Sequence, residues 1–210
     1  MTRRLIKEVS DVEISISLTT RPQRQGEENG VHYWFVDKDA FQKSIDRQDF
    51  LEWAEVFGNF YGTTFNEIER IRAKGHRIIL EIDVQGWESI KKTIPTAQSV
   101  FILPPSLKTL WERLTSRGTD SLEVRWKRLI TAKQELNSAA SFEHFIINDD
   151  LEKSYAELKN LVSLGRPVSL SRELGIKHNQ TLLSEFETAP WLKEIKALSK
   201  NLKIAPKDQF

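Results

Sequence analysis

The sequence lacks cysteine altogether among its 210 residues. Without a thiol the chain can form no disulfide bond, no thiolate nucleophile and no cysteine-ligated metal centre. It also lacks an excess of charge of one sign, since charged residues make up 29% of the chain while the formal net charge is only +1. Surfaces for nucleic acid or acidic membranes usually show a stronger imbalance. Any anion-binding site must therefore be local.

Long apolar runs are missing as well. Residues 1–8 are charged and helical in pattern rather than apolar with a cleavage site, and no later run reaches the length of a membrane span. No internal repeat or low-complexity tract is present. We therefore expect a cytoplasmic protein with one domain, because 210 residues are enough to bury a core.

What is present is a regular alternation of strand and helix patterns. Residues 13–18 alternate polar and apolar side chains, and residues 77–83 are nearly continuously apolar, as a buried parallel strand is. The pattern predicts an α/β fold with a parallel sheet. Residues 169–210 show only weak helical periodicity, and we predict no structure or role for them. Predicted strands lie at 13–18, 32–36, 50–57, 77–83, 99–103 and 144–148, and predicted helices at 38–47, 64–73, 85–92, 106–117, 121–139 and 151–162.

A first candidate site is the turn Ser17-Leu-Thr-Thr-Arg21-Pro-Gln-Arg24, where a strand ends and presents hydroxyls and guanidiniums. A planar guanidinium binds phosphate oxygens through two parallel charge-assisted hydrogen bonds. Arg21 and Arg24 therefore suit an anionic ligand, although arginines on a turn are more often solvated.

A second candidate is Glu52, which lies between Leu51 and Trp53 in an apolar strand. A buried carboxylate is costly unless it is paired, so Glu52 either points to solvent or awaits donors from a ligand. Because glutamate is rarely fully buried, the pattern alone favours the outward orientation.

A third candidate is the pair Glu81 and Asp83, at the carboxyl end of a strand that looks central. Ligands of open α/β sheets bind at that end. An aspartate in such a place commonly serves a magnesium ion, directly or through water, but it can equally cap the following helix.

A fourth candidate is a set of arginines. Arg113 and Arg117 are four residues apart and share a helix face, and Arg128 follows on the next helix. Arginines on a closing segment stabilise the charge that phosphoryl transfer spreads over the equatorial oxygens. The alternative is a pair of helices lined with solvated charge.

Eight ordered motifs in about residues 3–162 resemble the guanylate kinase family, especially its bacterial members. They read Ser-x-Thr-Thr-Arg-x-x-Arg, Glu-x-x-x-His-Tyr-x-Phe, Phe-Leu-Glu-Trp, Gly-Asn-Phe-Tyr-Gly-Thr, Ile-Asp-Val-Gln-Gly, Leu-Pro-Pro-Ser, Arg-Leu-x-x-Arg-Gly and Ile-Asn-Asp-Asp. The resemblance implies a P-loop nucleoside monophosphate kinase fold with a parallel core sheet. It places a guanylate kinase-like domain at 1–162, with a GMP-binding lobe at about 19–75 and a helical lid at about 113–128, and leaves 163–210 as a tail of unknown role.

The activity that the resemblance implies is transfer of the terminal phosphoryl group of ATP to GMP, giving ADP and GDP, with Mg²⁺ as cofactor and ATP as co-substrate. Small-molecule nucleotides are the implied partners, with no nucleic acid, membrane or protein partner. The resemblance assigns the GMP phosphate to Ser17, Arg21, Arg24, Tyr33 and Tyr61, the guanine base to Glu52 and Thr63, the transferring phosphoryl group to Arg113, Arg117 and Arg128, the ATP side to Asn148, and the GMP ribose or base and an indirect magnesium contact to Glu81 and Asp83.

One family motif is not found. Members begin with a strand and a Gly-x-x-x-x-Gly-Lys-Ser/Thr loop that holds the ATP phosphates, and no such sequence occurs in the 210 residues. Residues 1–8 resemble the helix that follows that loop, so we expect the loop and the strand before it to be missing. Three explanations compete for the missing loop and strand: a late start or trimmed gene, a non-catalytic binding module, and a decayed gene. The retained lid arginines count against the binding module.

Overall fold

A computed structural model shows helices and short strands in the alternation expected of an α/β protein. The structure describes residues 1–116, 121–165 and 168–201, with side chains described as far as residue 197. The chain divides into two compact units, Met1–Ala97 and Gln98–Phe210. No helix in the described part of the chain is long and apolar enough to cross a membrane.

The first unit carries two sheets. Strands β2 to β5 form a sheet of order β3-β2-β5-β4, in which β2 is parallel to β3 and β5 is antiparallel to both neighbours. Strands β1 and β6 form a separate parallel pair. The elements are α1 (Thr2–Glu8), β1 (Val12–Ile14), β2 (Leu18–Thr19), β3 (Trp34–Phe35), α2 (Lys38–Asp46), β4 (Phe50–Val56), β5 (Asn59–Thr64), α3 (Phe65–Arg72), β6 (Arg77–Ile79) and α4 (Val84–Thr93).

The β4–β5 hairpin turns through Phe57 and Gly58, with φ angles of 52° and 78°. Two-residue hairpin turns need positive φ because only then does their twist match that of the strands. Below the sheet, the buried Phe41 of α2 stacks on Phe50 and Phe60, with ring centroids 4.5 and 5.4 Å apart. This stack fixes α2 against the hairpin.

An ion cluster joins β1 to α3 and to the start of β6. Glu13 accepts hydrogen bonds from Arg70 Nη1 and Lys74 Nζ, each 2.9 Å long, and its Oε1 lies 2.7 Å from His76 Nδ1. The Lys74 hydrogen bond, followed by those of Arg70 and His76, lowers the pKa of Glu13 to about 2. Glu67 accepts the Ile16 N–H as well as Arg70, which ties the end of β1 to α3.

The second unit contains the parallel pair β7–β8, in which Val100 lies opposite His144. Ser106 caps α5 by accepting the Thr109 N–H at 3.1 Å, and Asp150 caps α7 by accepting the Lys153 N–H at 2.9 Å. The elements are β7 (Val100–Leu103), α5 (Leu107–Ser116), α6 (Leu122–Asn137), a 3₁₀ helix (Ala139–Ser141), β8 (His144–Ile147), α7 (Leu151–Leu164), α8 (Arg172–Thr188) and α9 (Pro190–Asn201).

Several predicted boundaries were wrong. The predicted strand 13–18 is interrupted, since β1 ends at Ile14 and β2 begins at Leu18. The predicted strand 77–83 ends at Ile79. Beyond Ile79 the chain no longer pairs with β1 and leads to Asp83, the N-cap of α4. Strand β5 was not predicted, and neither were the helices of the uninterpreted segment, α8 and α9.

Candidate functional site

The centre of the candidate site is a carboxylate on strand β4. The Glu52 side chain is only 6% exposed, and its Oε1 accepts the Thr63 N–H at 3.0 Å. The Thr63 hydroxyl, on β5, lies 3.2 Å from the Ser17 hydroxyl. The structure thus brings together the two residues predicted to read guanine and one predicted to hold the phosphate.

The outward orientation that the pattern favoured for Glu52 is wrong. The β4–β5 register shifts between Phe50 and Glu52, so strict alternation fails at this point. Phe50, Leu51 and Glu52 are all buried, while Trp53 is 42% exposed. A bulge of this kind re-aims a side chain, and here it aims the carboxylate inward.

The environment of Glu52 compensates its charge only in part. Burial raises the pKa of Glu52, the nearby Asp83 carboxylate raises it further, and the hydrogen bonds from Thr63 oppose the change only in part. A carboxylate desolvated in this way gains most from a ligand that offers it two donors.

Asp83 is the N-cap of α4, which is one of the two roles that the sequence left open for it beside magnesium binding. Its Oδ1 accepts the Gly86 N–H at 2.9 Å. Gly86 itself faces the carboxylate, since a Cβ at this position would lie 2.8 Å from Glu52 Oε2 and 3.0 Å from Ile82 Cβ. Sequence reasoning missed this role, although a glycine inside a helix is unfavourable and so was a signal.

Arg21, a predicted phosphate ligand, is held by several contacts of its guanidinium. Its Nη2 forms a 2.8 Å ion pair with Glu27, and its Nη1 donates to the Pro22 carbonyl. Its guanidinium lies 5.5 Å from the ring of Tyr33, which contacts Tyr61 edge-on at 6.0 Å. Three predicted phosphate residues are therefore adjacent, and burial raises the pKa of Tyr33.

Glu27 was not predicted as part of the site. Its Oε1 accepts from Arg21 and its Oε2 accepts the Arg24 N–H at 2.8 Å, so it spans the turn that carries both arginines. The Arg21 hydrogen bond, aided by the Arg24 N–H, lowers the pKa of Glu27 and keeps it charged. Arg24 and Glu81 are both exposed. Glu81 accepts a hydrogen bond from the Thr2 hydroxyl.

The candidates for phosphoryl transfer lie in the second unit. Arg113 Nη2 donates to the Asn148 carbonyl at 2.8 Å, which brings a predicted catalytic residue to a predicted ATP-side residue. Arg128 lies half-buried on α6. Arg117 falls outside the described residues.

The acidic residues fit an indirect role at a metal. Within the described ranges no group of three or more His, Cys, Asp or Glu side chains could hold an ion. Mg²⁺ does not require such a group, because it keeps several waters and is bound through one or two carboxylates plus substrate phosphates. Asp83 Oδ2, 3.4 Å from the Gln85 amide, is available for such a contact.

Comparison with known proteins decides the family, since the guanylate kinase family model matches residues 1–164. The chain belongs to the guanylate kinase family. Among curated guanylate kinases, that of Neisseria gonorrhoeae is 45% identical over 172 residues, covering 82% of this chain and 83% of the relative. That of Symbiobacterium thermophilum is 41% identical over 160 residues, covering 76% of each.

The fold agrees with this assignment. The crystal structure of guanylate kinase from Anaplasma phagocytophilum matches with a TM-score of 0.64 and 30% sequence identity, covering 82% of this chain and 88% of that one. The predicted membership of the guanylate kinase family and the α/β nucleoside monophosphate kinase fold are confirmed.

Proposed function

We propose that this guanylate kinase family member transfers the terminal phosphoryl group of ATP to GMP, in the cytoplasm, with Mg²⁺ as cofactor. The observation that carries the proposal is the buried Glu52 carboxylate, which among the described residues only Thr63 is seen to compensate and which lies beside the Thr63 hydroxyl. Tyr61 and Thr63 are two residues apart on β5, so their side chains share a face of the sheet about 7 Å apart. That spacing suits the phosphate and the base of a single nucleotide.

Guanine is the base that this pocket suits. Glu52 can accept from both the ring N–H and the exocyclic amine of guanine, and the Thr63 hydroxyl can donate to the guanine oxygen. Adenine does not offer those two donors together. Adenine would leave the buried carboxylate without donors from the ligand, at a cost of about 1 to 3 kcal/mol.

The GMP phosphate is assigned to Ser17, Arg21, Arg24, Tyr33 and Tyr61. Support comes from the contacts among Arg21, Tyr33 and Tyr61 and from the Glu27 bridge, which holds the turn in place. Hydroxyl and guanidinium donors are the groups that recognise phosphate oxygens. Glu81, close enough for its charge to act on Tyr33, would contact the ribose or base.

Phosphoryl transfer is assigned to Arg113, Arg128 and, outside the described residues, Arg117. These cations would stabilise charge on the equatorial oxygens, and Asn148 would lie on the ATP side. Asp83 would contact Mg²⁺ indirectly, and the ion would neutralise phosphate charge. No covalent intermediate is needed, because positioning and charge stabilisation account for catalysis of this kind.

The deciding experiment is calorimetric titration with GMP, with AMP as the control, followed by ATP and an assay of ADP and GDP formation. We expect GMP to bind and AMP not to bind, and GDP to form when ATP and Mg²⁺ are added. Selective GMP binding without GDP formation would contradict the transfer step alone. A folded chain that binds no GMP would overturn the proposal entirely.

A further inference from the structure

Helix α8 begins beyond residue 164, where the family match ends. It contacts the N-terminal end of α5, the first helix of the α5–α6 pair. Glu185 Oε2 accepts the N–H of Leu107, the first residue of α5, at 2.9 Å. His178 Nε2 donates to the Pro104 carbonyl, just before α5, at 2.8 Å. Two side chains of α8 are therefore bonded to backbone groups at the start of the pair.

The same helix contacts the exit of the pair. Asn179, 5% exposed, donates to the carbonyl of Leu136 in the last turn of α6 at 2.9 Å. Arg172 donates to the Phe142 carbonyl at 3.0 Å and also to the Ala140 carbonyl. Helix α8 thus spans the two ends of the α5–α6 pair.

Backbone groups at these ends need partners from outside the pair. The first N–H groups and the last C=O groups of a helix have no partner within it. A carboxylate at a helix N-terminus is favoured by the helix dipole as well as by the hydrogen bond. Glu185 supplies this partner to α5, and Asn179 supplies the amide donor to α6.

Helix α9 covers the apolar side of the pair. Leu192, 5% exposed, belongs to the same core cluster as Leu107, Leu114, Trp126 and Leu129. Trp191 lies against Trp111 of α5, with ring centroids 6.4 Å apart. The pair is therefore packed against α9 as well as bonded to α8.

We propose that α8 and α9 form a brace that fixes the orientation of α5 and α6 and so positions Arg113 and Arg128, with Glu185 and His178 as positioning residues. This inference rests on the proposed role of those arginines in phosphoryl transfer. Arg113 lies six residues, about 9 Å, beyond Leu107. A tilt of about 10° at Leu107 would move it by about 1.5 Å, and a misplacement of 1 Å can cost on the order of 100-fold in rate.

The first test compares Glu185→Ala with Glu187→Ala on the same helix. Glu187 is a control for the loss of a carboxylate, because it is 73% exposed and its ion pair with Lys133 of α6 is open to solvent, where such pairs contribute little. In Glu185→Ala we expect kcat to fall at least tenfold while the KM for GMP stays within twofold. Glu185→Gln, which keeps an acceptor oxygen, should recover most of kcat, and Glu187→Ala should match the parent chain.

A second readout does not depend on activity. Hydrogen exchange of the amides at 107–110 should accelerate in Glu185→Ala and His178→Ala and stay unchanged in Glu187→Ala. If the parent chain forms no GDP, the proposed function fails, yet exchange still tests the brace. Unchanged exchange would overturn the brace. A loss of kcat matched by an equal loss of GMP-binding stoichiometry would also overturn it, because the variant would merely be less folded.

Discussion

Glu52 shows how a single side chain connects fold and selectivity. The β4–β5 register shift turns it inward, and burial then raises its pKa. Neither step is visible in the residue pattern, which favours solvent exposure for a glutamate. Only the Phe-Leu-Glu-Trp motif pointed to a role that needs the inward orientation, because a family resemblance includes the bulge without describing it.

Replacing Glu52 tests the guanine pocket directly. Glu52→Gln keeps one acceptor but presents a donor where guanine also presents one, so we expect GMP affinity to fall by about 10- to 100-fold, or about 1 to 3 kcal/mol. Affinity for AMP should rise, since adenine offers an acceptor there. Calorimetry measures both, with the exposed Glu55→Gln on the same strand as the control. Unchanged selectivity would refute the pocket.

The same carboxylate should make GMP binding depend on pH. Its pKa in the folded protein lies above the ordinary value of 4.5, and only the charged form accepts both guanine donors. GMP affinity should therefore fall as pH drops through that raised pKa, sooner than for an exposed glutamate. Because the phosphate of GMP titrates near pH 6, the comparison is with Glu52→Gln at each pH. Parallel profiles for the two proteins would argue against the assignment.

Gly86 offers a prediction that opposes helix propensity. Alanine inside a helix is normally more stable than glycine, by about 1 kcal/mol. In α4 the added Cβ would lie 2.8 Å from Glu52 Oε2 and would displace it. We expect Gly86→Ala to weaken GMP binding about tenfold with no gain in Tm. Ser89→Ala in the same helix is the control, and tight GMP binding with a raised Tm in Gly86→Ala would show the contact to be unimportant.

At the scale of elements, the ion cluster on Glu13 joins β1, α3 and β6. Glu13→Gln should lower the free energy of unfolding at neutral pH by about 1 to 2 kcal/mol, once screening of the half-exposed Arg70 and Lys74 is allowed for. A lowered pKa means that this stability is present above pH 4.5 and is lost as pH falls toward about 2.

Urea denaturation of both proteins between pH 7 and pH 3 checks this expectation. The difference between parent and variant should narrow steadily below about pH 5. Glu69→Gln, on the same helix α3 with a carboxylate 68% exposed, should change stability by less than about 0.5 kcal/mol. A difference that stays constant with pH would mean that Glu13 acts through packing rather than charge.

Hydrophobic periodicity predicted most elements, because helices such as α2 and α3 bury a single stripe against the sheet. It missed β5, whose residues Asn59–Thr64 show no apolar alternation and pair with β2 and β4. It missed α8 because that helix buries Gly175 and Asn179 as well as Leu182, so no apolar stripe identifies it. The Glu27 bridge was missed because nothing in the pattern distinguishes Glu27 from the other polar residues of its turn. The glycine at position 86 was a signal, but its contact with Glu52 depends on tertiary approach.

At the scale of the whole molecule, the residues proposed for recognition and those proposed for transfer lie in different parts of the chain. Every residue assigned to GMP lies within Met1–Ala97, and every residue assigned to phosphoryl transfer or ATP lies within Gln98–Phe210. The family assignment applies to both parts, since the family model matches residues 1–164.

GMP should therefore stabilise the folded chain even without ATP. At a GMP concentration of 100 Kd, binding adds about 2.7 kcal/mol, which corresponds to an increase in Tm of about 5 to 10 °C for a chain of this size. Differential scanning calorimetry with GMP, and with AMP as the control, measures the effect. Equal increases with the two nucleotides would mean that the phosphate alone is recognised.

The ion pair between Arg21 and Glu27 bears on competition from the other anions of a cell. Arg21 is only 10% exposed, and its guanidinium already holds a carboxylate at 2.8 Å. An inorganic phosphate ion would have to share that guanidinium with Glu27, without the base contacts that reward GMP. If Arg21 holds the GMP phosphate as proposed, the pair would protect the site from abundant small anions and favour a ligand that also fills the proposed guanine pocket.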